Sequence, residues 1–190
     1  MRLESITYAL LFLMIPAIDM EANYSRDLAF LVSTPGDVRF SGQGKLNVWR
    51  GLVPLRSTRH DVERVLGDSK SSSPPDYVYD TKNENIIVRY STDTCSRAPN
   101  VEWDVPINTV VSITVSPKAD LLIRDLHLDL QEYGRSELAH PQGLIRYVSA
   151  EDGVQIESKL QDGCEVVMSI TYTPTTKDNR MRCGFKNTEE

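Results

Sequence analysis

The chain has 190 residues and a mass of 21.4 kDa, enough for one domain or two small units sharing a core. Hydrophobic residues at 40% and charged residues at 25% give a globular balance that argues against a disordered or collagen-like chain. The net charge of −6 and pI near 5.1 argue against a nucleic-acid partner held on a broad basic face.

Arg2 gives a weakly basic start, and residues 6–18 form an almost unbroken apolar run of thirteen. That length suits the apolar segment of a secretory signal peptide, whereas a bilayer span needs about 20 residues. Pro16 and Ala17 open a cleavage region that Ala22 can close. Residues 1–22 are therefore read as a signal peptide and the protein as secreted or periplasmic. The competing reading is an N-terminal helix packed on the core. No Cys follows the apolar run, which argues against a lipid anchor, and no later stretch reads as a membrane span.

Residues 23–48 carry little periodicity and several breakers, including Pro35-Gly36, Gly42 and Gly44. They read as a loose N-terminal segment with a short strand near 38–40. The clearest helix follows, over Ser57–Leu66. Ser57 or Thr58 can cap it, and Asp61 stands three residues after Thr58, at capping-box spacing. Val62, Val65 and Leu66 share one predicted apolar face, and Gly67 supplies the stop. Ser71 to Pro75 reads as a loop.

Strand chemistry dominates beyond it. Strands are expected at 77–79, 86–90 and 110–115, with a hairpin connection over Thr81–Asn85. Residues 92–108 read as irregular. Leu126-His127-Leu128-Asp129-Leu130 alternates strictly, as a half-buried strand does. Three strands at 144–149, 154–159 and 164–173 are separated by Asp152-Gly153 and Asp162-Gly163, the strongest short hairpin signal. An internal repeat shows at an offset of 57: Arg89-Tyr90 matches Arg146-Tyr147, and Val110, Ser112, Ile113, Thr114 and Pro117 match Val167, Ser169, Ile170, Thr171 and Pro174. The expected fold is α+β: an antiparallel sheet of two tandem meander units with one helix packed on it. The first α/β unit spans 49–117, the second meander 118–183, and 184–190 is a tail.

The run Pro54 to Gly67 resembles the T-x-x-x-V-x-x-x-L-G helix of the small outer-membrane lipoproteins of the BamE/SmpA type. The β-lactamase-inhibitor-protein fold shares that element, and the resemblance implies helices packed on an antiparallel sheet in two tandem units. Over about residues 49–183 the chain is also similar to uncharacterised secreted bacterial proteins. The shared marks are W-x-G-x-x-P-L-x-S-T at Trp49–Thr58, the Tyr90 to Pro106 segment with its Cys and Trp, and the Tyr172 to Cys183 end. That group implies no specific function.

Chemical motifs are sparse. The chain has no G-x-S-x-G elbow, no Walker-type loop and no G-x-G-x-x-G. His60, His127 and His140 show no H-x-H or H-x-x-x-H spacing, so no zinc site has a local seed. Asp125, His127 and Asp129 would share a strand face that could hold a metal, but they read as a solvated face opposite Leu126, Leu128 and Leu130. Asp152 and Asp162 read as turn residues rather than as paired carboxylates. Lys177 to Arg182 reads as a solvated basic tail. No catalytic, cofactor-binding or metal-binding residues are assigned, and no cofactor is expected.

The three cysteines are Cys95, Cys164 and Cys183. In an exported protein thiols tend to pair. Cys95 and Cys183 sit in polar, irregular segments where a staple gains most, so they are the expected disulfide. Cys164 stays free, shielded if it points into the sheet. Trp49 and Trp103 lie beside prolines in loop-like segments; each could anchor a protein partner, but residues of this kind more often close the open end of a sheet core. The expected function is therefore a secreted, non-catalytic protein that binds another envelope or secreted protein, with no nucleic acid and no membrane span. The alternative is a hydrolase whose site assembles around Cys95 and His127 or His140.

Overall fold

The computed structural model describes residues 47–93, 95, 102–138 and 143–184. The expected signal peptide, the strand near 38–40 and His140 lie outside these residues. The chain is mostly β, which corrects the expected α+β class: among the described residues there is one α-helix, α1 (Arg59–Leu66), of eight residues. The strands are β1 (Ser71–Ser73), β2 (Asp76–Asp80), β3 (Glu84–Tyr90), β4 (Val110–Pro117), β5 (Gly134–Leu138), β6 (Leu144–Ser149), β7 (Val154–Gln161) and β8 (Cys164–Tyr172). They form one antiparallel sheet in the order β1-β2-β3-β4-β8-β7-β6-β5. β1 to β4 are neighbours in chain order, and so are β5 to β8. The two runs meet where β4 pairs with β8 over Ile113–Tyr172, Thr114–Thr171 and Val115–Ile170.

That meeting tests the offset of 57. Thr114 and Thr171 lie opposite each other, and their hydroxyls share a hydrogen bond of 3.1 Å. The gap-free offset fails one strand further out. It equates Arg89-Tyr90 on β3 with Arg146-Tyr147 on β6, yet β3 lies beside β4 whereas β7 separates β6 from β8. Similar strand chemistry, not equivalent position, produced that match.

Alternation sets the buried face. Ile86, Val88 and Tyr90 on β3 point into the core, as do Ile113 and Val115 on β4, Val154 and Ile156 on β7, and Ile170 and Tyr172 on β8. Trp49, Leu52, Val62 and Leu126 pack on this face from outside the sheet. Thr58 caps α1 through the capping box: its hydroxyl accepts from the Asp61 N–H, and the Asp61 carboxylate accepts from the Thr58 N–H at 2.8 Å. Val62 is fully buried and Leu66 packs on the core, but Val65 is 42% exposed, which corrects the predicted face. At about 100° per residue, Arg59, Val62 and Leu66 share one edge of the helix, and Val65 lies beyond it. Arg59 claims that edge by stacking over Tyr77 at 4.5 Å.

The alternating leucines near 128 do not form a strand. The backbone makes 3-10 turns over Ile123–Leu126 and Leu130–Glu132, and His127 takes φ of 52° between them. Leu126 is buried, and Leu128 and Leu130 pack partly on the core. The apolar residues were thus placed on the core as expected, but by a backbone in 3-10 turns rather than in a strand. The Ser71–Pro75 loop contains a short strand instead, since Ser73 pairs with Asp76 around a cis Pro74-Pro75 bond. Lys177 to Arg182 is not a tail: Thr176–Met181 form a 3-10 helix and Asp178 is buried.

Candidate functional site

Cys95 and Cys183 form the disulfide, with Cα atoms 5.2 Å apart and a sequence separation of 88. Around it the C-terminal segment docks on the loop that precedes β4. Cys183 N–H donates to the Glu102 carbonyl, Asp104 N–H donates to the Met181 carbonyl, and Trp103 bridges to Arg182. Leu55, Trp103 and Val105 form a second small core there, with Val111 and Met181 packed on it. Val111 is the extra residue of a bulge between β3 and β4, and that irregularity turns its side chain toward this cluster. Cys164 begins β8 and is exposed, not shielded. It sits one residue past the turn, where the strand has outrun the core.

The structure overturns both tryptophans as exposed anchors. Trp49 is 7% exposed and Trp103 is 8% exposed. Arg50 and Gly51 adopt φ of 49° and 79°, and the tight turn they make pairs Trp49 with Leu52, folding the indole into the main core. A guanidinium covers each ring: Arg50 lies 4.7 Å from the Trp49 centroid and Arg182 lies 4.4 Å from that of Trp103.

A cleft of about 180 Å³ opens between the loop Asn47–Arg56, the turn Ala150–Gly153 and the start of the C-terminal 3-10 helix. Arg56, Lys177, Glu151, Asp152, Thr175 and Asp178 line it. Asp178 is buried and accepts from the Thr175 N–H and hydroxyl and from Arg56 Nη2 at 3.1 Å. Burial pushes its carboxyl up, but these donors outweigh burial and hold it below the ordinary carboxylate range. Gly153 forms the floor of this region. A Cβ there would lie 2.3 Å from the Thr173 carbonyl oxygen and 3.1 Å from the Asn47 side chain. Within the cleft Arg56 is paired with Asp178, and Asp152 accepts from the Ser149 hydroxyl and donates its N–H to it.

The face of the sheet opposite the core is a third candidate. One row crosses it through paired residues Val78, Ile87, Thr114, Thr171, Gln155 and Val148. Ile87 and Val148 are exposed, at 43% and 37%, and the residues between them are half-buried. Ion pairs flank the row. Arg89 holds Asp76 through two bonds of 2.8 and 2.9 Å, and Arg146 holds Glu157 at 2.8 Å. This alternation of apolar, hydroxyl and charge-paired residues escaped the sequence reading because its members come from six strands. Only the register joins them.

Asp125, His127 and Asp129 lie on the 3-10 segment, and among the described residues no cluster of three His, Cys, Asp or Glu could hold a metal. A tyrosine group was also not foreseen. The Tyr79 and Tyr90 hydroxyls lie 3.0 Å apart, Tyr77 meets Tyr90 edge-on at 5.1 Å, and Arg59 donates to the Tyr77 hydroxyl. Burial, followed by the bond to Tyr79, pushes the Tyr90 phenol well above its ordinary range. Tyr79 and Tyr90 are therefore neutral core members whose hydroxyls satisfy each other.

No protein-family model matches the chain, and no curated protein matches it. Among solved structures the chain is similar to a DUF4309 family protein (YjgB) from Bacillus subtilis, at 13% identity and a TM-score of 0.44, over 66% of this chain and 84% of that one.

Proposed function

We propose that the protein is an exported, non-catalytic binding protein that receives another envelope or secreted protein on the open face of its sheet. The row from Val78 to Val148 carries this reading: two exposed apolar side chains frame a band of hydroxyls and amide, and the flanking charges are internally paired. A charge-balanced face suits a protein surface better than a polyanion. The Cys95–Cys183 disulfide supports an oxidising compartment and, while intact, leaves Cys95 without the thiolate a hydrolase would need.

Capture with the oxidised protein, followed by cross-linking, tests the face. Ile87→Glu and Val148→Glu should keep the melting temperature and lose the cross-linked partner, while Lys177→Ala in the cleft should keep it. Retention of the partner by both face variants would overturn the assignment. Titration of native protein should find one reactive thiol, Cys164; a second, reactive Cys95 would return the hydrolase reading.

A further inference from the structure

The sheet has two lateral edges, and they differ. β1 is three residues long and lies beside the cis Pro74-Pro75 bond. Shortness of this kind is a common way to blunt an edge against pairing with another chain. Among the described residues β5 pairs with β6 alone; it spans five residues without proline and is exposed along Gly134–Glu137. An edge strand presents backbone N–H and C=O groups that its own sheet does not use. Charges can also blunt an edge, but β5 carries two of opposite sign, Arg135 and Glu137, placed symmetrically about Ser136.

Side chains two apart share a face, and Arg135 Nη2 already donates to Glu137 Oε1 at 3.1 Å. Consider two copies paired antiparallel about a twofold axis at Ser136. Arg135 of each copy then lies opposite Glu137 of the other, giving two cross-strand ion pairs. A twofold centred on either neighbouring residue would put like charges opposite. The edge is therefore self-complementary in a single twofold register. Both side chains are half or more exposed, at 50% and 71%, so the Arg135–Glu137 contact within one strand, beside the bond of Arg135 to Tyr147, can be exchanged for contacts across the pair.

We propose that two copies of this chain associate through β5, antiparallel about Ser136, and continue one sheet across the pair. Two five-residue strands bury far less than a standard interface, so the dimer is weak and forms with rising concentration.

Sedimentation velocity on the oxidised protein carrying Cys164→Ser tests this, because the exposed thiol can then cross-link nothing. The apparent mass should climb from one chain toward two as concentration rises. Arg135→Glu alone and Glu137→Arg alone should each remain single chains at concentrations where the parent is half associated. An equimolar mixture of the two should associate again, as should the double variant. Unchanged melting temperatures establish that each variant is folded. A parent that stays monomeric, single variants that associate like the parent, or a mixture that stays monomeric would each overturn the proposal.

Discussion

Asp152-Gly153 and Asp162-Gly163 are the same dipeptide, and each joins two antiparallel strands, yet they are different structures. Gln161 pairs with Cys164, so the second is a two-residue loop, with φ of 50° at Asp162 and 77° at Gly163. That is the twist a tight hairpin requires. Ser149 pairs with Val154, so the first is a four-residue loop in which only Gly153 takes a positive φ, of 64°. A Cβ on Gly163 would meet nothing within 4 Å, whereas one on Gly153 would collide with the Thr173 carbonyl. One glycine answers to its own backbone, the other also to its neighbours. Local sequence encodes the first requirement and is silent on the second.

Substitution at the two glycines separates these demands most strongly. Gly153→Ala adds a steric collision to the left-handed strain and should cost roughly 2–5 kcal/mol. Chemical denaturation should show it, and a loss below about 1 kcal/mol would mean that the 173–175 segment yields easily. Next is the disulfide, which anchors the C-terminal segment that walls the Gly153 turn. Replacing Cys95 and Cys183 together with Ala should cost about 2–4 kcal/mol. Hydrogen exchange should then speed up at residues 176–182 while the Gly163 hairpin stays as it was. Gly163→Ala meets only backbone strain, about 1–2 kcal/mol, and Gly163→Asn should recover most of it.

The smallest effect comes from acid. Asp178 sits below its ordinary range in the folded protein, so its contribution is complete above about pH 4 and is lost as the pH falls through that lowered value. Asp61 is held down to about 2, first by the Thr58 N–H, then by the Thr58 hydroxyl and Arg64. Between about pH 4 and 2, protection should fall at the cap of α1 and at the wall of the Gly153 turn. A melting temperature unchanged over that range would show that neither carboxylate matters to stability.

The parts legible in the sequence are those governed by near neighbours. Thr58 and Asp61 announce the start of α1, and alternation at Ile86–Tyr90 and Val154–Ile156 announces both strands and their buried face. The pairing of Cys95 with Cys183 was legible because both stand in polar, irregular sequence while Cys164 follows an Asp-Gly turn at the start of a strand. What stayed hidden depends on distant chain. β5 reads Gly-Arg-Ser-Glu-Leu, with no apolar alternation, because an exposed edge buries almost nothing. Leu126 to Leu130 alternate like a strand but lie in 3-10 turns and the link between them, and the packing of the Ile123–Leu126 turn on β8 joins residues far apart in the chain. The open face joins residues from six strands, and the burial of Trp49 follows from a turn at Arg50 and Gly51, where a non-glycine residue takes φ of 49°.

The junction of β4 and β8 bears on the order in which the molecule assembles. Every other pairing in the sheet joins strands that are consecutive in the chain, through short loops except for the 91–109 segment between β3 and β4. The junction alone brings together residues such as Thr114 and Thr171, 57 positions apart, and it must do so against a larger loss of chain entropy. We expect that closure to be the slow step, with the hairpins on either side forming earlier. Conservative substitutions at Ile113 or Ile170 should then slow refolding, whereas substitutions at Val148 on the far hairpin should mainly speed unfolding. Stopped-flow refolding rates that respond equally at both places would show a sheet that condenses all at once.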